Sequence, residues 1–229
     1  MAGHPLLRLA PPSREEPPPE GRSGAPAERE PARDLLLAAA RAAFAERGFD
    51  GARVDDIARR ARLNKQLVYH YFGSKDGLYA AVLRSVYAEI REREQALCLD
   101  NLPAEEAMRR LVEFSFDFLH AHPDFVAIIM AENMLGGRHL PAGGELAAVN
   151  RPILELMRKT LARGTAEGVF RPGLDPLHLY LSVAGMSFFY FSNTHTLSRV
   201  FARPFADPRL CDERRAHIVD FTLNAIRAR

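Results

Sequence analysis

The residues of this 229-residue chain best equipped for chemistry sit together in one short run, Lys65-Gln66-Leu67-Val68-Tyr69-His70-Tyr71-Phe72. Wound as a helix at about 100° per residue, the run separates into two faces. Lys65, Gln66, Tyr69 and His70 share one arc, while Val68, Tyr71 and Phe72 fall on the other side. The polar arc offers a cation, an amide, a phenol and an imidazole. Those groups suit recognition rather than bond making: an amide can pair both edge atoms of an adenine, and an ammonium neutralises phosphate. On this reading Gln66 and His70 read bases, Leu67 reaches a thymine methyl, and Tyr69 donates to phosphate.

Such a face is useful only if something presents it. Asn64 is a good N-cap for the run, because its side chain can accept from a free N–H of the first turn. The turn Arg62-Leu63-Asn64 joins it to a short helix from Val54 to Ala61, whose Ile57, Ala58 and Ala61 face inward. Asp55 and Asp56 sit in that helix's first turn, where the helix dipole favours negative charge. A longer helix precedes it, with Leu36, Leu37, Ala40 and Phe44 at three- and four-residue spacing and Gly48 as its stop. Two short helices across a tight turn, the second with a polar outer face, describe a helix-turn-helix. Charge agrees in sign. Residues 32–76 carry 9 basic and 6 acidic groups, whereas residues 77–229 carry 18 of each.

Catalytic and metal constellations are missing from the pattern. His120 and His122 are two apart and share no helix face, and His139, His178, His195 and His217 have no HxxxH or HExxH setting. No metal site and no cofactor is therefore expected. Glycines 136, 137, 143 and 144 are too irregular for a phosphate loop, and no nucleophile, base and acid can be aligned by spacing. Cys98 and Cys211 lie far apart without a CxxC partner. No run of about 18 apolar residues marks a membrane span, and no secretory leader is visible. A cytoplasmic protein that is not an enzyme is the expectation.

The chain reads as all-α. Residues 1–31 hold 8 of the 16 prolines with few large apolar groups, so a disordered tail is expected there. Helices are predicted over 32–47, 54–61, 65–71, 75–97, 104–121, 124–134, 145–167, 176–201 and 209–228. The domain division that follows is 1–31 tail, 32–76 helix-turn-helix domain, and 77–229 a larger helical domain.

Residues 35–83 resemble the DNA-binding domain of TetR-like repressors. The resemblance rests on Leu36, Ala39-Ala40, Phe44, Gly48-Phe49, Ile57-Ala58, Ala61, Leu63, Lys65, Val68-Tyr69-His70-Tyr71-Phe72, Ser74-Lys75 and Leu78. It implies an N-terminal reading head, a ligand-binding and dimerising C-terminal domain, and phosphate contacts at Lys65 and Lys75. Three departures stand out. Arg62 occupies the turn position where the family usually has Gly. Ala52-Arg53 replaces the usual hydroxyl residue before the second helix, leaving Arg53 to make that phosphate contact. Gln66 and Leu67 replace a small residue and Thr. The DNA-contacting set is thus Arg53, Asn64, Lys65, Gln66, Leu67, Tyr69, His70 and Lys75.

The C-terminal part is similar, through His122-Pro123-Asp124, Glu132-Asn133, Gly137-Arg138-His139-Leu140 and Gly168-Val169-Phe170-Arg171-Pro172-Gly173, to the subgroup regulating aromatic-acid and pyrimidine catabolism. It holds many Phe and Met side chains, which suit an adaptable cavity wall. A small, partly aromatic organic effector, an acid being one candidate, is expected among residues 104–195. Its candidate contacts are Phe114, Phe118, Met130, Asn133, Met134, Arg138, Ser187, Tyr190 and Asn193, with His139 beside Arg138 at the mouth. The last two long helices, apolar on more than one face, are expected to form a four-helix seam with a second copy through Leu181, Phe188, Ile218 and Phe221. The expected function is a repressor released from a pseudo-palindromic duplex operator by a small organic ligand. The alternatives are a helical small-molecule binder whose helix-turn-helix is only scaffold, and a ligand-independent repressor.

Overall fold

A computed structural model describes residues 26–140 and 143–228. Among them are ten α-helices: α1 Pro26–Gly51, α2 Val54–Arg60, α3 Gln66–Phe72, α4 Lys75–Gln95, α5 Ala104–Ala121, α6 Pro123–Met134, α7 Glu145–Ala166, α8 Pro176–Ser192, α9 Thr194–Val200 and α10 Pro208–Ile226. The all-α class is as expected. Most of the expected tail, residues 1–25, lies outside the described residues, and α1 already begins at Pro26 rather than near residue 32.

The first three helices pack as their apolar spacing requires. Leu36, Ala40 and Phe44 of α1 are buried against Ile57 and Ala58 of α2, Val68 of α3 and Leu78, Tyr79 and Val82 of α4. Gly48 takes φ 66 and kinks the end of α1. Phe49 then folds back, its ring 5.2 Å from that of Tyr79. The close junction of α3 and α4 depends on Gly77: a Cβ there would lie 2.0 Å from the Phe72 carbonyl oxygen. Ser74 caps α4 by accepting from the Gly77 N–H at 3.0 Å.

Arg62, in the turn between α2 and α3, has φ 57. An L side chain in this left-handed region costs about 1 kcal/mol more than glycine does, partly offset by glycine's larger loss of chain entropy. Arg62→Gly is expected to raise unfolding stability by roughly 0.5–1 kcal/mol, read as a higher denaturant midpoint at unchanged slope. A lower midpoint would show that the arginine side chain compensates its own strain.

The remaining helices build two further cores. Met108, Val112 and Phe116 of α5 meet Val183 and Tyr190 of α8 and Ile218, Val219 and Leu223 of α10. Leu111 of α5 meets Ile153 and Met157 of α7. The expected single helix over 176–201 is broken into α8 and α9 at Asn193. The side chains there take helix carbonyls: Asn193 Nδ2 donates to Phe189 O at 3.0 Å and Thr194 Oγ1 to Tyr190 O at 2.8 Å. Such back-bonding competes with a straight helix.

Beside the apolar core they share, two groups of polar and ring contacts tie the first helices to the rest. Arg41 of α1 bridges Asp124 of α6 and Glu89 of α4, with 2.6 Å from Nη1 to Glu89 Oε2. The turn after α6 supplies the second. His139 packs against Phe49, tilted by 37° with ring centres 4.1 Å apart, and its Nδ1 lies 3.0 Å from Glu132 Oε2. Burial and the nearby Glu132 carboxylate push the Tyr79 phenol, beside that turn, up to about 12.

Candidate nucleic-acid interface and effector cavity

Helix α3 presents the polar arc outward. Lys65, Gln66, Tyr69 and His70 are exposed, and Val68 is buried beneath them. Asn64 caps the helix as expected, its Oδ1 accepting from the Gln66 N–H at 2.9 Å. Lys65 Nζ lies 3.1 Å from Asp55 Oδ1. That pair is exposed and so weak that a phosphate can displace the carboxylate. Lys75 Nζ sits 4.5 Å from the centre of the Phe49 ring, which orients the ammonium beside α3. Arg53 flanks α2, exposed and without a side-chain cap. Leu67 differs from expectation. It is half-buried and packs on the reading-head core, so little of it is free to touch a thymine methyl. A narrow polar face, two lysines beside it and no reactive pairing make a docking surface for a polyanion.

Deeper in the chain, α4, α5, α6 and α8 line a partly open cavity of about 390 Å³. Its wall includes Tyr87, Ile90, Arg91 and Glu94 of α4, Leu119 of α5, Phe125, Ile129 and Asn133 of α6, and Tyr180, Leu181 and Phe188 of α8. Arg91 and Glu94 are only 5% and 3% exposed. Arg91 Nη2 lies 3.1 Å from Glu94 Oε1, while Arg91 Nε and Nη1 and Glu94 Oε2 have no hydrogen-bond partner. Burial pushes the Glu94 carboxyl up to about 7, against the opposing pull of Arg91. A second cavity of about 420 Å³, on the other side of Leu119, is lined by Met130, Tyr190, Phe191, His195 and Cys211 among others. It contains no comparable pair of unsatisfied charges.

A profile of bacterial regulatory proteins of the tetR family matches residues 36–82, and one of Tetracyclin repressor-like C-terminal domains matches residues 104–222. The chain belongs to the TetR family. It is 36% identical over 195 residues to the HTH-type transcriptional repressor NicS of Pseudomonas putida, spanning 85% of this chain and 92% of NicS. Among solved structures it is similar to the putative transcriptional regulator SCO4942 from Streptomyces coelicolor, with TM-score 0.61 and 26% identity, covering 85% of this chain and 98% of that one. It is also similar to the ketosteroid transcriptional regulator KstR2 of Mycobacterium tuberculosis, with TM-score 0.61 and 25% identity, covering 86% and 95%. The protein is therefore a DNA-binding transcriptional regulator of the repressor type, with a ligand-binding C-terminal domain, and not an enzyme. TetR-family regulators bind DNA operators and small effectors as dimers.

Within this TetR-family frame the expected effector residues scatter. Asn133 reaches the wall with the charged pair, and Met130 and Tyr190 reach the second cavity. Phe114 and Phe118 pack together in the core, with ring centres 5.8 Å apart. Met134 is 87% exposed on the outer side of α6. Arg138 is drawn to the reading head, its guanidinium 5.9 Å from the Phe49 ring, and His139 goes with it. The polar groups of the α8 region mostly satisfy themselves. Tyr190 Oη donates to Phe205 O at 2.6 Å, and Asn193 donates to Phe189 O; Ser187 is buried without a partner but lines neither cavity.

Sequence reasoning missed Arg91 and Glu94. They sit in the run Arg91-Glu92-Arg93-Glu94, which reads as a solvated charged surface. The available signal was periodicity: Leu83, Tyr87, Arg91 and Glu94 follow at four-, four- and three-residue steps, on the stripe that buries α4.

The expected dimer residues divide as well. Ile218 is fully buried in its own protomer's core, so it is not free to meet a partner. Phe188 packs on the core and lines the cavity. Leu181 and Phe221 are 54% and 55% exposed, and Leu177 and Phe189 are exposed with them.

Proposed function

We propose that the protein is a homodimeric cytoplasmic repressor that reads a pseudo-palindromic operator with α3 and releases it when a small organic effector fills the cavity walled by Arg91 and Glu94. Residues 32–76 act as the reading head and 77–229 as the effector and dimer domain. Lys65, Lys75, Arg53 and Tyr69 hold phosphates, Asn64 fixes the start of α3, and Gln66 and His70 read base edges. Leu67 plays a packing part with at most a marginal contact to DNA. The observation that carries this reading is the exposed polar arc of α3 set on a buried apolar face. Leu181 and Phe221, with exposed Leu177 and Phe189, make the apolar face that a second copy covers.

Effector control needs a path from cavity to reading head. Helices α4 and α6 both supply it. Each lines the cavity, α4 begins beside α3, and α6 reaches α1 through Arg41 and Asp124. An effector that fits the cavity only when these helices have moved shifts the population towards the released state.

The test is a binding-site selection followed by salt titration. Gln66→Ala is expected to relax preference at one position of each half-site, by about 1–3 kcal/mol in discrimination. Lys65→Ala is expected to weaken all duplexes alike and lower the salt slope by roughly one unit per monomer. An unchanged preferred sequence in Gln66→Ala together with an unchanged slope in Lys65→Ala would remove α3 from the interface.

A further inference from the structure

Helix α6 ends in a turn whose shape is held at several points. Gly136 and Gly137 take φ 72 and 73, and the Gly137 N–H donates to Glu132 O at 3.0 Å. Glu132, only 3% exposed, fixes the turn from inside. Its Oε1 accepts from the His139 N–H at 2.7 Å, and its Oε2 lies 3.0 Å from His139 Nδ1. The His139 ring packs on both Phe49 and Tyr79, with ring centres 4.1 and 5.1 Å away. Arg138 stands between these fixed points and is exposed.

Arg138 therefore projects from the larger domain at the end of α4 that adjoins α3. Its guanidinium carbon lies 5.9 Å from the centre of the Phe49 ring, and Lys75 Nζ lies 4.5 Å from the same centre. Lys75 opens α4, directly after Gly73 and Ser74 have closed α3. Two cations are thus gathered at one ring, and among the described residues neither is in an ion pair. Asp76, the acidic group in the first turn of α4, lies beside His139 instead, 3.6 Å from Nε2. An aromatic face attracts cations but leaves their charge in place. Like charges brought together repel unless an anion joins them. The anion that α3 faces is the DNA backbone.

We propose that Arg138 pairs with an operator phosphate next to the one held by Lys75, so that the larger domain itself touches DNA. This rests on the reading of α3 and Lys75 as the operator face and adds a contact from outside the reading head. A guanidinium fork suits two phosphate oxygens. The contact also shortens the route of control. Arg138 is anchored through Glu132 to α6, which lines the proposed effector cavity. A shift of α6 withdraws Arg138 from the backbone even where α3 keeps its place, and one phosphate contact per protomer is lost.

The experiment is a salt titration of the full-length protein on a selected operator duplex, read by fluorescence anisotropy. It compares the parent with Arg138→Ala, Arg138→Lys, Lys65→Ala and Arg199→Ala. Arg199, exposed on α9, gives a matched loss of charge outside the site. Arg138→Ala is expected to weaken every duplex alike, to leave the preferred sequence unchanged and to lower the salt slope by roughly one unit per monomer. Its deficit against the parent then shrinks by about tenfold between about 50 and 200 mM salt. Arg138→Lys is expected to restore most of the slope, because a point charge still displaces a counterion. Arg199→Ala is expected to keep the parent slope. Arg138→Gln, which keeps a long side chain without its charge, serves if the alanine variant does not fold. A parent slope in Arg138→Ala with a lowered slope in Lys65→Ala overturns the Arg138 contact and leaves α3 as the interface. A lowered slope in Arg138→Ala with a parent slope in Lys65→Ala keeps Arg138 on the backbone and overturns the place given to Lys65. Parent slopes in both overturn both. An equal fall in Arg199→Ala assigns the effect to net charge and overturns the Arg138 contact.

Discussion

Phe221→Asp separates the two copies and reduces operator affinity by about a hundredfold, because two linked heads bind far more tightly than one. The expectation follows from exposure. Phe221 is 55% accessible on α10, so aspartate there is well tolerated by a lone protomer. In the dimer it would meet the partner's apolar surface and leave a desolvated charge without a counter-ion. Neighbouring α8 carries Leu177, Leu181 and Phe189, also exposed, along its length. Sedimentation is expected to give a dimer for the parent chain and a helical monomer for Phe221→Asp. Ile218→Asp would be a poor substitute test: Ile218 is fully buried within the protomer, so the variant would lose its core. A variant that remains dimeric with full operator affinity would place the two-fold seam elsewhere.

The second large effect concerns the link between reading head and effector domain. Arg41→Met leaves Asp124 half-buried without its arginine and Glu89 held by Arg93 alone among the arginines, and a loss of about 2 kcal/mol is expected at neutral pH. The sign of its pH dependence is fixed by the carboxyls. Burial pushes both up, but the Arg41 hydrogen bonds and charge more than offset this, so both sit below their ordinary range. A carboxyl lowered by folding stabilises fully above its unfolded value, near about pH 4. That contribution disappears as the pH falls through the folded value. The difference between parent and Arg41→Met is therefore expected to be full at pH 7 and to shrink below about pH 4. Denaturant titrations across pH 3–8 check it. A deficit independent of pH would assign the effect to lost packing instead.

The reading head was largely legible because its information is local. The spacing of Leu36, Ala40 and Phe44, the cap at Asn64 and the two-faced run of α3 all lie within a few turns of chain. The strain at Arg62 could be anticipated only through the family resemblance, which puts Gly at that turn position, and φ 57 agrees. The cavity proposed as the effector site was much less legible because it is assembled from four helices distant in sequence. A charge's burial depends on what packs over it. Arg91 and Arg93 belong to one charged run, yet only Arg91 turns inward. The polar residues Tyr190 and Asn193 misled for the opposite reason: nearby carbonyls satisfy them, and that geometry is invisible in composition. Arg138 and His139 were expected at a ligand mouth, but Phe49, 90 residues or so earlier in the chain, draws them to the reading head. Ile218 and Phe221 of α10 were both expected at the seam between copies, because sequence alone did not separate burial within the protomer, as at Ile218, from exposure on its surface, as at Phe221.

The most direct test of α3 as the operator-reading element is a salt titration of the parent chain on a selected duplex, repeated with Lys65→Ala and Gln66→Ala. Binding is expected to require a site with two-fold symmetric half-sites about one helical turn or a multiple apart. Its logarithm should fall linearly with the logarithm of salt concentration, with a smaller slope in Lys65→Ala and a relaxed half-site in Gln66→Ala. Sequence-specific binding that leaves both slope and preference unchanged in these variants would contradict the assignment.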